Sequence, residues 1–139
     1  MPLAPPSLAT KLGIRPGMLV ALLDPPPAVG RAIRDGAPSG VRWRKSIGSS
    51  RFDLIFFWPV DTTRLSRDFA RLQASLVPDG AIWVVMPKKA YAADRQVSFR
   101  WEEMQAEGLR GDLVDNKIAA ITATDYGTRF VIRKERRPR

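Results

Sequence analysis

The sequence predicts a three-layer α/β domain: a mostly parallel sheet with helices on both faces and a C-terminal antiparallel hairpin. Three observations carry that expectation. Residues 18–23 and 81–86 are apolar throughout and 52–58, broken only by Asp53, is the most apolar segment of the chain, the pattern of strands buried on both faces. Helical periodicity separates them, as crossover helices between parallel strands require. The last third changes to two strand-like segments around a short polar stretch, a hairpin signal.

Residues 1–7 form a Pro-rich lead that is expected to be disordered, with Ser7 placed to cap a short helix over 8–12 that Gly13 ends. Ile14-Arg15-Pro16-Gly17 is a turn. The first strand follows and stops at Asp24-Pro25-Pro26-Pro27, because proline cannot donate to a strand ladder. A short helix over 28–34 places Val29 and Ile33 on one face, and Val41-Arg42-Trp43-Arg44 alternates as a short edge strand. Segment 52–58, rich in aromatic and β-branched residues, is a central strand ended by Pro59. Asp61 or Thr62 then caps a helix whose apolar stripe is Leu65, Phe69, Leu72 and Leu76, with Arg64, Arg67 and Arg71 off the stripe. Pro78-Asp79-Gly80 is a turn before the strand over 81–86. A polar loop covers 88–94, and a helix covers 98–107 with Trp101 and Met104 inward. Strands over 113–122 and 128–133 flank a turn at Thr124-Asp125-Tyr126-Gly127. The domain spans 8–133, and 134–139 is a basic tail.

Composition narrows the chemistry. At 139 residues the chain is sized for one domain. It has no Cys and no His, which excludes disulfides, thiolate nucleophiles, Ser-His-Asp triads and the common zinc and haem ligand sets. No apolar stretch approaches the ~18 residues of a membrane span. With no targeting signal in the sequence, a cytoplasmic location is expected. The net charge is +9, mostly from arginine, and suits an anionic small molecule, an acidic partner or nucleic acid. The excess leans N-terminal: seven basic and two acidic side chains in 1–50, against eight and seven in 101–139.

Several segments together resemble the adenosylmethionine-dependent methyltransferase domain, a Rossmann-like fold, in reduced form. Residues 12–20 are similar to the entry to its first strand, 52–56 to its fourth strand, 76–84 to the turn and fifth strand, and 115–133 to its reversed last strand. Pro78-Asp79-Gly80-Ala81-Ile82-Trp83, Pro87-Lys88-Lys89 and Leu113-Val114-Asp115-Asn116-Lys117 resemble, more narrowly, a small bacterial family of unknown function with that fold. The resemblance covers about 8–133, and the Arg-, Ala- and Pro-rich usage fits a GC-rich bacterial source. It implies a cofactor loop rich in glycine after the first strand and an acidic residue after the second. Here Asp24-Pro25-Pro26-Pro27 occupies the first position and Val41-Arg42-Trp43-Arg44-Lys45 the second. Trp58-Pro59-Val60 keeps only fragments of the fourth-strand motif of amino methyltransferases.

Ligands of open α/β sheets bind outside the carboxyl ends of the parallel strands. That rule selects Asp24, Trp58, Asp61, Lys88, Lys89, Asp125 and Tyr126 as ligand-binding candidates, with no catalytic or metal-binding residue. Lysines and aromatics together suit a planar anion such as a nucleotide. The expected function is a non-catalytic, methyltransferase-like domain that binds an anionic ligand or partner without a cofactor. One alternative is an active methyltransferase that uses S-adenosylmethionine, with Asp24 or Asp61 as its carboxylate. A second is a nucleic-acid-binding protein acting through the basic tail.

Overall fold

A computed structural model describes residues 7–138. The predicted lead lies outside the described residues except for Ser7, whose hydroxyl accepts the Thr10 N–H and caps helix α1 (Leu8–Leu12). The chain continues through β1 (Leu19–Leu23), α2 (Pro27–Asp35), β2 (Arg42–Arg44), β3 (Phe52–Phe57) and α3 (Leu65–Ala74). It ends with β4 (Leu76–Pro87), α4 (Trp101–Gly108), β5 (Leu113–Ala120) and β6 (Asp125–Ile132). Single 3₁₀ turns lie at Lys89–Tyr91 and Lys134–Arg136.

Six strands form one sheet in the order β2-β1-β3-β4-β6-β5. β1 pairs parallel with β2 and β3, and β4 continues the parallel set. β6 runs antiparallel to both β4 and β5. The order reverses at β1, which puts the topological switch point of the sheet at the carboxyl ends of β1 and β3.

Each sheet face has its own core, so the fold has three layers. Leu12, Val29 and Ile33 of α1 and α2 pack with Val20, Phe56, Trp83 and Val85 on one face. Leu65, Phe69 and Leu72 of α3 and Met104 of α4 pack with Ile55, Ile82, Val84 and Phe130 on the other. The i, i+4, i+7 stripe of α3 is therefore buried, and Arg64, Arg67 and Arg71 are exposed. On the first face Trp83 and Phe56 stack with ring centroids 6.3 Å apart, and the Trp83 indole N–H donates to the Leu12 carbonyl at 3.0 Å. That bond ties α1 to the middle of the sheet. Gly127 has to be glycine beside them, since a Cβ there would lie 2.8 Å from the Trp83 ring.

Four local expectations are corrected. Pro78-Asp79-Gly80 does not precede β4 but lies within it. Phe52 pairs with Leu76 and Leu54 with Ala81, so residues 77–80 bulge out of register, and a Gly80 Cβ would meet the Phe52 carbonyl at 2.9 Å. Helix α3 starts at Leu65, because Asp61 spends its carboxylate on an Asx turn to the Thr63 N–H at 2.9 Å. Helix α4 starts at Trp101, where the Glu103 side chain accepts the Arg100 N–H at 3.0 Å. The hairpin turn lies earlier than expected. Thr122 bonds the backbone N–H groups of Thr124 and Asp125, and Asp125-Tyr126-Gly127 already belong to β6.

Beyond β6 the basic tail follows the edge of the domain. The Arg133 N–H bonds the Asp112 carbonyl, Arg136 lies 3.9 Å from Asp112, and Arg137 donates to the Ile132 carbonyl.

Candidate functional site

The carboxyl rim gathers the seven predicted residues and then divides them. Asp24 ends β1 in a left-handed conformation, φ 52°, and is exposed. Asp61 is exposed and held in its Asx turn. Trp58 follows β3 and packs on the α1–α2 face against Phe56. Side-chain alternation places Asp125 on that same face, two residues before Gly127.

Asp125 is fully buried, and Arg95 grips it with two bonds of 2.8 and 2.7 Å. Thr124 donates a third bond at 2.7 Å. Burial opposes ionisation of the carboxyl, but the bonds from Arg95 and Thr124 outweigh it and hold its pKa below the usual value. The buried Trp58 N–H has no partner at hydrogen-bonding geometry, although its dipole also favours the ionised carboxylate. Arg95 comes from the connection between β4 and α4, which also bonds internally from Tyr91 N–H to Lys88 carbonyl through Val97 N–H to Ala92 carbonyl. The Lys88 N–H reaches the Thr124 carbonyl at 2.7 Å. The connection is thus clasped over the rim, with Asp125 at the centre of the clasp.

Lys89 and Tyr126 meet elsewhere, on the face of α4. They line a hollow of about 500 Å³ with Met86, Phe99, Arg100 and Trp101. Its floor is aromatic and sulfur-bearing, and the cations stand at its mouth. The Trp101 N–H donates to Thr128 at 2.8 Å, which fixes the indole plane. Burial raises the Tyr126 pKa, and Glu102 raises it further, so the phenol stays neutral as donor or acceptor. Lys88 is half-buried at the edge of the rim. Sequence reasoning reached Lys89 and Tyr126 through the strand-end rule. It missed Arg95, Phe99 and Arg100, which lie in a connection with no periodicity to reveal its path.

No protein-family model and no curated protein sequence matches the chain; solved structures do. A chain assigned as a type 11 methyltransferase from Sulfolobus solfataricus superposes with a TM-score of 0.64 at 11% identity, over 95% of this chain and 93% of that one. The pyocyanin biosynthetic protein PhzM superposes at 0.68 and 11% identity, over 90% of this chain and 53% of its own. N-methyltransferase NodS from Bradyrhizobium japonicum WM9, in complex with S-adenosyl-L-homocysteine, gives 0.50 at 20% identity over 83% and 66%. This chain has a methyltransferase-like Rossmann fold.

Where the resemblance implies a glycine-rich cofactor loop after the first strand and an acidic residue after the second, this chain has prolines and cations. The first turn of α2 faces Pro25, whose ring lies 2.9 Å from where a Gly30 Cβ would be, so the loop is closed down on the helix. Pro26 and Pro27 open α2 and have no N–H to offer a ligand. β2 ends at Arg44, followed by Lys45, both exposed. Ribose hydroxyls need an acceptor there, whereas these side chains only donate, and their charge opposes a sulfonium. Among the described residues no group of three acidic side chains could hold a metal, and no helix is long and apolar enough to cross a membrane.

Proposed function

We propose that the chain is a binding domain on a methyltransferase-like scaffold that takes a planar, anionic small molecule in the hollow beside Tyr126. The observation that carries this reading is a displacement of the available space. After β1 the chain runs through Pro25, whose ring packs on Gly30 of α2, while the hollow over β4 and β6 combines an aromatic floor with the exposed Lys89 and Arg100. Tyr126 and Trp101 supply faces and edges for a planar ring, and Lys89 supplies a mobile point charge for a phosphate or carboxylate. Glu102 at the same mouth disfavours a ligand with negative charge at both ends. Non-catalytic action is part of the proposal. The rim's one deeply buried carboxylate, Asp125, is fully engaged, and Tyr126 is held neutral.

Calorimetric titration of adenosine 5′-monophosphate at low salt tests the reading. Binding is expected, and Lys89→Ala should weaken it about tenfold, the equivalent of one charge-assisted bond of roughly 1.5 kcal/mol. An affinity unchanged by Lys89→Ala, or no heat with the folded wild-type protein, would overturn it.

A further inference from the structure

The opposite end of the sheet carries cations that the rim does not use. Arg129 lies mid-strand in β6, opposite Trp83 on β4 and Lys117 on β5. Alternation turns it toward the α1 face, where it is half-buried at a position flanked by Gly127 and Val131. Its guanidinium donates to Asn116 Oδ1 at 3.3 Å, and among the described residues no carboxylate lies within 4.0 Å of it. Burial lowers its pKa, and nearby Arg137 lowers it further. A half-buried cation in that state gains from an anion.

The surroundings supply more cations. The ladder between β5 and β6 shifts register between Asp115 and Lys117. The Lys117 ammonium donates to the Lys11 carbonyl at 2.6 Å, at the end of α1. Thr10, Lys11, Gly13, Asn116, Lys117 and Arg129 line a shallow hollow of about 290 Å³. A second hollow of about 430 Å³ shares Thr10, Gly13 and Arg129 and adds Arg15. Asp53 and Asp79 also line the second hollow, but Asp53 is bonded to the Leu19 N–H at 2.8 Å, and neither lines the first.

We propose that this end of the sheet binds the phosphate backbone of single-stranded nucleic acid, with Arg129 and Lys117 as its central phosphate contacts. The cations are spread along two shallow, adjoining hollows instead of converging on one point, which matches a chain of phosphates better than a single one. The net charge of +9 adds long-range attraction.

The test is fluorescence anisotropy of a short, mixed-sequence single-stranded RNA across a salt series, with the full chain. Wild-type protein is expected to bind at about 50 mM salt, with affinity falling steeply as salt rises. The pair Arg129→Gln and Lys117→Gln should weaken binding about tenfold and flatten the salt slope by about 1.4, or roughly 0.7 per lost contact. Lys117→Gln alone, on an exposed side chain, should give half that change in slope if the Arg129 variant fails to fold. A charge-matched pair on α3, Arg64→Gln with Arg67→Gln, should leave affinity within twofold. Absence of RNA binding by the wild type would overturn the proposal. Equal weakening by the α3 pair would also overturn it, because attraction would then follow net charge alone.

Discussion

Replacing Arg95 with Met is expected to destabilise the protein by about 3 kcal/mol, because it strands a buried carboxylate without its partner. The estimate sits at the low end of the roughly 3–5 kcal/mol range for broken buried pairs, since the Arg95 side chain keeps a quarter of its surface exposed. The Asp125 carboxyl is depressed in the folded state, so its contribution is complete above the unfolded value of about 3.9 and is lost as pH falls through the lower folded value. Urea midpoints should therefore drop on acidification below about pH 4 in the wild type and change less in Asp125→Asn. Equal acid sensitivity in both proteins would show that the clasp between the β4–α4 connection and β6 does not contribute in this way.

Trp83→Ala should have the largest effect of any single change, about 3–5 kcal/mol by the usual cost of emptying an aromatic core site. Trp83 has no exposed surface, stacks on Phe56 and holds α1 through its bond to Leu12. Trp83→Phe separates these contributions. It keeps an aromatic ring on Phe56 but leaves the Leu12 carbonyl without its donor, at a cost of about 1–3 kcal/mol. Chemical denaturation of the three proteins reads both values. A Phe variant as unstable as the Ala variant would mean that the α1 bond, not the stacking, dominates.

The layers of the fold were legible because its central strands, β1, β3 and the second half of β4, are the chain's most apolar runs. The run over 52–58 and the observed β3, Phe52–Phe57, nearly coincide, since burial on both faces favours apolar residues, and the one polar side chain, Asp53, is half-buried and accepts the Leu19 N–H. The C-terminal hairpin was legible in kind but not in register. Asp125 looks like a turn residue in sequence, yet it sits inside β6 because Arg95, thirty residues earlier, neutralises it. Pro78-Asp79-Gly80 has the composition of a turn and instead forms a bulge, since the strand continues once Gly80 can pass close to the Phe52 carbonyl. Of the candidate site, Lys89 and Tyr126 were reachable from strand ends alone. Trp101 was legible as an inward helix residue, but Phe99 and Arg100 reach the same hollow through the end of the β4–α4 connection, whose path no periodicity records. Arg129 did leave a signal, an arginine ahead of the apolar run Phe130-Val131-Ile132 in the strand-like segment over 128–133.

In the proposed reading this methyltransferase-like scaffold takes its ligand in the hollow beside Tyr126 and not at the carboxyl end of β1. Calorimetric titration of S-adenosylmethionine and S-adenosylhomocysteine into the folded protein, next to adenosine 5′-monophosphate, tests it most directly. No heat is expected from either cofactor form, and the mononucleotide is expected to bind saturably and to be weakened by Lys89→Ala. Stoichiometric binding of S-adenosylmethionine would contradict it, because the loop from Asp24 to Pro27 would then make a cofactor site after all.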